Sequence, residues 1–152
     1  AYTAQVGDDN YSKTEAAGNS NDATTEQSGN NNYSDTRQIG NSNISTVTST
    51  GDNNISQVYQ GYTGDNNLSD VDQTGDGNQQ YTAQVGDDNT SDTDQVGDGN
   101  FSYTYQTGFQ HNSIVNQQGN LNDSDTQQNG NNHGSVVNQI GNNNGSIFTQ
   151  SN

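Results

Sequence analysis

Residues Tyr81–Asn89 read YTAQVGDDN, and residues Tyr2–Asn10 spell the same nine letters. The copies lie 79 residues apart, seven steps of eleven with two left over. Worked outward from the glycine of each copy, one ruler fits the whole chain. Gly7, Gly18, Gly29, Gly40, Gly51, Gly64, Gly75, Gly86, Gly97, Gly108, Gly119, Gly130 and Gly141 are spaced by 11, except for 13 between Gly51 and Gly64. Such a period marks a repeat architecture, in which each unit cannot bury its face alone and must stack on its neighbours.

Other columns keep the same register. Gln precedes the glycine by two at Gln5, Gln27, Gln38, Gln73, Gln84, Gln95, Gln106, Gln117, Gln128 and Gln139. Asn follows by three at Asn10, Asn21, Asn32, Asn43, Asn54, Asn67, Asn78, Asn89, Asn100, Asn122 and Asn144, with His111 and His133 as the exceptions. Ser follows by five in most units, Ala23 and Gln80 excepted. Seven after the glycine stand Thr14, Thr25, Thr36, Val47, Val58, Val71, Thr82, Thr93, Thr104, Val115, Thr126, Val137 and Phe148. A column of β-branched residues closed by one aromatic is a strand signal. Asn, Ser, Thr/Val and Gln sit two apart, so an extended chain projects them to one face. The positions between them vary freely, as on a solvated face.

Composition alone points elsewhere. Hydrophobic residues are 22% of the chain, and the formal net charge is −16. Too little apolar surface is present to offset chain entropy in an ordinary globule. The repeat overrides that expectation, because a random polar tract does not hold an eleven-residue register. Residues 1–152 are therefore expected to form one all-β domain of thirteen turn–strand units. The fold class is a β-solenoid of amyloid type, with two strands per rung of about 22 residues and about seven rungs stacked roughly 4.8 Å apart. Its core is narrow: stacked Asn and Gln amides bond along the axis, while Thr and Val pack across it. The two extra residues fall near 61–63, in Gln60-Gly61-Tyr62-Thr63-Gly64, as one enlarged corner of even length that preserves strand facing.

The string Q-x-G-x-x-N-x-x-x-x-x-Q, present at Gln27–Gln38, Gln73–Gln84, Gln84–Gln95, Gln95–Gln106, Gln117–Gln128 and Gln139–Gln150, resembles the repeat of the curlins, the subunits of bacterial curli amyloid fibres. The resemblance spans the chain. In the familiar curlin repeat a Ser-led strand alternates with an Asn-led one, whereas every unit here is Asn-led, and the Gly-rich export segment is missing. The family implies a secreted subunit, exported unfolded, that polymerises into the extracellular biofilm matrix, with a nucleator subunit and an outer-membrane export machinery as partners. Open rung edges point the same way, because an unpaired strand edge templates another copy. The chain begins mid-strand and lacks an initiator Met, so a processed product or a window of a longer array is expected. The expected partner is a second copy, stacked head to tail.

Outward positions carry secondary signals. Tyr11, Tyr33, Tyr59, Tyr81, Phe101, Tyr103 and Tyr105 fall at outward positions of odd-numbered units, and the strands of even-numbered units carry none. They form either a sticky face for lateral bundling or a set of reinforced strand pairs. Lys13 is expected to pair with Asp35 one rung on, and Glu15 with Arg37. Asp70, Asp72, Asp92 and Asp94 cluster, as weak candidates for Ca²⁺ or, as preferred here, as a solvated acidic face that delays aggregation until export. The stretch DVDQTGDGN lacks the third and closing ligands of an EF-hand loop. His111 and His133 lack a third ligand and are read as substitutes for Asn at a corner, loosening the C-terminal rungs when protonated.

No catalytic constellation, cofactor site or metal site is expected: Ser, Asp and His are dispersed by the repeat, so the chain is not expected to be an enzyme. The acidity argues against nucleic acid, and no apolar run suits membrane insertion or a signal peptide. Alternatives are an ice-binding β-solenoid, which needs an outward Thr array, and a Ca²⁺-dependent adhesin, whose G-G-x-G-x-D nonapeptide is absent.

Overall fold

The computed structural model describes residues 1–61 and 64–152. Every element among them is a strand. One seven-stranded sheet contains β1 (Tyr2–Val6), β3 (Asp22–Ser28), β5 (Ile44–Thr50), β7 (Leu68–Thr74), β9 (Thr90–Val96), β11 (Asn112–Gln118) and β13 (Gly134–Ile140), in that spatial order. The second contains β2 (Tyr11–Ala17), β4 (Tyr33–Ile39), β6 (Ile55–Gln60), β8 (Gln79–Val85), β10 (Phe101–Phe109), β12 (Asp123–Asn131) and β14 (Gly145–Ser151). All pairings are parallel, and each strand pairs with the next but one in sequence. The chain is thus a β-solenoid of about seven turns, as the period predicts. The two YTAQVGDDN copies start on β1 and β8, on opposite sheets, because seven half-turns separate them.

Pairing follows the repeat columns. Thr25 lies opposite Val47, Thr93 opposite Val115 and Gln106 opposite Gln128. Ser, Thr/Val and Gln of the inner rungs are buried, and the alternate positions are mostly exposed or half-buried. Val47, Val58 and Val71 form the one apolar cluster among the described buried residues. Parallel strands are normally buried on both faces. Here one face of each sheet is exposed to solvent.

Backbone pairing continues around the corners. The N–H of Gly29 donates to the Val6 carbonyl at 3.0 Å, and that of Asn31 to the Asp8 carbonyl at 2.9 Å. Gly29 has φ 123°, and a Cβ there would strike the carbonyl of Gly51 directly above it. Glycine is therefore required both by its left-handed backbone and by the stacking distance. A second requirement hides two residues later. In all thirteen turns that residue also has positive φ, including Ser20, Gln110 and Leu121 as well as Asn31, Gly77 and Gly99. The sequence pattern treats this position as free.

At the enlarged corner, Tyr62 and Thr63 of the expected insertion lie outside the described residues. On either side the ladder resumes with an offset of 24, Ile44 opposite Leu68 and Ile55 opposite Gln79. Gly61 takes the positive φ (85°) that Gly64 does not. Inward and outward faces are preserved across it, as an even-numbered insertion requires.

Candidate functional site: amide ladders and open rungs

Two glutamine ladders run through the core. In the second sheet Gln38 donates from Nε2 to Oε1 of Gln60 at 3.0 Å, Gln60 to Gln84 at 3.0 Å, Gln84 to Gln106 at 3.0 Å and Gln106 to Gln128 at 2.9 Å. In the first sheet Gln5 donates to Gln27 at 2.7 Å, and Gln73, Gln95, Gln117 and Gln139 form an unbroken run at 2.8–3.0 Å. From Gln38 onward the second proton of the ladder amides crosses the core. Gln38 donates to the Asp22 carbonyl, Gln84 to Leu68, Gln95 to Gln79 and Gln117 to Phe101, all at 2.8–3.0 Å. Each of these four glutamines therefore ties one rung to the next and one sheet to the other. Ser49 interrupts the first ladder: it reaches Gln73 at 3.2 Å, but Nε2 of buried Gln27 has no partner.

The corners hold two further ladders. Oδ1 of Asn10 accepts the backbone N–H of Asn32 at 2.9 Å, and the motif climbs through Asn54, Asn78 and Asn100. The Asn10 Nδ2 donates to the carbonyls of Gly29 and Val6. Asparagine stacking thus runs chiefly through the backbone, more than through the amide-to-amide chain expected from the sequence. Beside it, the Asp/Asn position after each glycine accepts a backbone N–H from the rung before: Asn30 donates to Asp52 at 2.7 Å, Asn41 to Asp65 at 2.7 Å and Asp65 to Asp87 at 2.8 Å. In the sequence this position is marked by its near-uniform Asp/Asn identity, broken at Phe109, which suits a turn and does not by itself reveal the bond between rungs.

At one corner, His111 and His133 take over the asparagine role. His111 is buried; its backbone N–H donates to Asn89 Oδ1 at 3.1 Å, and its Nδ1 accepts the His133 N–H at 3.3 Å. Nε2 faces the Thr107 carbonyl at 3.1 Å, which assigns its proton to that nitrogen. The rings stack at 5.2 Å, 4° from parallel. Burial lowers the His111 pKa, and His133 adds in the same direction against the Thr107 carbonyl. Nδ1 copies the asparagine oxygen and Nε2 its amide, so substitution for Asn is what the geometry shows.

The end rungs leave the inner columns open. Gln5 and Thr3 on β1 are exposed, whereas Gln27 and Thr25, one rung in, are buried. Phe148 and Gln150 on β14 are half-buried, against fully buried Thr126 and Gln128 beneath them. β1, β2, β13 and β14 are the sheet edges.

On the outer faces, Tyr11 stacks on Tyr33 and Tyr81 on Tyr103, with Ile55 next to Tyr33 in the first column. The odd-unit aromatics do share the second sheet; Tyr2, which precedes the first unit, lies on the first. The ion pairs differ in part from expectation. Arg37 Nε lies 3.7 Å from Glu15 as expected, and the guanidinium also covers the Tyr59 ring and bonds its hydroxyl. Lys13, however, meets Glu15 on its own strand at 2.8 Å and not Asp35 across the rung. Same-face neighbours two apart are within reach of a long side chain, and Glu15 also faces Arg37. That contact raises the Lys13 pKa and lowers that of Glu15.

Asp70 lies opposite Asp92, and Asp72 opposite Asp94. Partial burial, then repulsion among these carboxylates, raises the pKa of Asp70, Asp92 and Asp94. Among the described residues no group of three or more His, Cys, Asp or Glu is arranged to hold a metal ion. No family model, curated protein or solved structure matches the chain.

Proposed function

We propose that this chain is a self-assembling structural subunit of an extracellular amyloid fibre of the curli kind, built by head-to-tail stacking of solenoids. The observation that carries the proposal is the interchangeability of rungs. Inner rungs share one set of partners, Gln on Gln, Asn on Asn and a β-branched residue on its like, and the edge rungs present that set unfilled. A second copy placing β1 and β2 over β13 and β14 brings Asn10 over Asn144, Gln5 over Gln139 and Thr3 over Val137, each a pairing of types used inside the rod. Unpaired parallel edges favour such addition over an isolated rod. The assignment to a secreted biofilm-matrix fibre, with nucleator and export partners, rests on the curlin resemblance. A catalytic role has no convergent site to support it.

The ice-binding alternative is disfavoured because the constant Thr column faces the core. A Ca²⁺-dependent adhesin would need ligand clusters that the repeat does not supply. The test is a seeding experiment: purified chain, incubated with thioflavin T, should assemble after a lag that preformed fibres abolish. A chain that remains monomeric when seeded, under conditions where its solenoid is folded, contradicts the proposal.

A further inference from the structure

We propose that the outer face of the second sheet is an oxidative modification site, in which Tyr11 couples to Tyr33 and Tyr81 to Tyr103 as dityrosine, stapling adjacent rungs. Ring centroids stand 5.1 Å apart in the first pair, with planes 8° from parallel, and 5.2 Å apart in the second, at 4°. Both pairs are held by strand register, β2 on β4 and β8 on β10. Tyr11 is 48% exposed, and the other three are half-buried, so a small oxidant reaches the face.

The chemistry needs a peroxide acting through a one-electron oxidant such as a haem peroxidase. Each phenol gives up one electron and its hydroxyl proton, leaving spin on the ring carbons beside the oxygen. One such carbon from each ring forms the new C–C bond. The hydrogens on those two carbons then shift to the oxygens and restore both phenols. Two electrons and two protons in all reduce one hydrogen peroxide to two waters. Stacking in one column converts radical encounter into an intramolecular step, with about 2 Å of approach needed to reach the roughly 3–3.5 Å separation from which the bond forms.

Register also decides which tyrosines are excluded. Tyr105 lies between Ala83 and Gln127, and Tyr2 opposite Thr24. Among the described residues only the two stacked pairs place tyrosine directly on tyrosine. Each link would close a loop between residues 22 apart, so rungs could no longer separate without breaking a carbon–carbon bond.

The experiment treats the dilute full chain with a haem peroxidase and hydrogen peroxide. It reads dityrosine fluorescence, loss of two hydrogens per link, and the linked peptides. Expected are intrachain links Tyr11–Tyr33 and Tyr81–Tyr103 on a product of monomer mass, and a raised denaturant midpoint. The double variant Tyr33→Phe/Tyr103→Phe, which keeps both ring stacks, should lose about tenfold or more of the intrachain dityrosine, while Tyr2→Phe/Tyr105→Phe should match the parent. Equal yield in the two double variants, or links found only between chains, overturns the proposal.

Discussion

The backbone N–H of His133 points at Nδ1 of His111 across 3.3 Å, the bond that an asparagine oxygen accepts elsewhere in the ladder. Protonating that nitrogen would set two donors against each other beside a stacked second imidazole. His133 stands above this corner, and Asp87 and Asp88 belong to the turn one rung below. With the folded pKa of His111 lowered from 6.5 chiefly by burial, the unfolded chain binds the proton more readily. Stability is therefore complete above about pH 6.5 and falls as pH drops toward the lower folded value. Urea midpoints at pH 7 and pH 5 should show a smaller acid loss in His111→Asn/His133→Asn than in the parent; identical losses would reject the assignment. Asp70, Asp92 and Asp94 act with the opposite sign. Their raised pKa values favour the fold at low pH, an advantage lost as pH rises above 3.8 through the folded values, so the comparison with the variant isolates the histidines.

Thr93 sits between Val71 and Val115 with its buried hydroxyl unpartnered. Thr93→Val removes that uncompensated group and joins two valines already in the column. Stability should rise by about 1–2 kcal/mol, measured by equilibrium unfolding. A loss would show that the hydroxyl is satisfied in solution.

Ser49 leaves Gln27 without an amide partner above it. In Ser49→Gln the first ladder becomes continuous from Gln5 to Gln139, with one added amide bond on each side. About 1 kcal/mol of stabilisation is expected, together with slower hydrogen exchange in β3 and β5. Unchanged exchange there would mean that the wider side chain does not enter the column.

Leu121 occupies a left-handed backbone position, φ 58°, where Asn31, Asn53 and Asn143 stand in equivalent corners. Leu121→Asn relieves a conformation costing roughly 1 kcal/mol for an ordinary side chain. The melting temperature should increase; a decrease would assign Leu121 a packing role that outweighs the strain.

Much of this architecture was legible because burial and period agree. Thr25, Val47 and Val71 share one column, and that spacing alone fixes the inward face, the two-strand rung and the opposite placement of the YTAQVGDDN copies. What escaped is set by backbone geometry and not by side-chain type. The left-handed position held by Ser20, Gln110, Leu121 and Asn31 looks variable, because a turn can force many residues into it at modest cost. The bonds that Asp52 and Asp65 accept were not legible, because a backbone N–H one rung away leaves no mark on sequence. Lys13 chose Glu15 over Asp35 because two acceptors lay within reach and sequence gives no distance.

The most direct test of head-to-tail stacking is X-ray diffraction from aligned fibres of this chain. Solenoids joined end to end put every strand across the fibre, so the 4.7–4.8 Å reflection should lie on the meridian. The same reflection on the equator would mean rods lying across the fibre, and would contradict assembly through the open rungs.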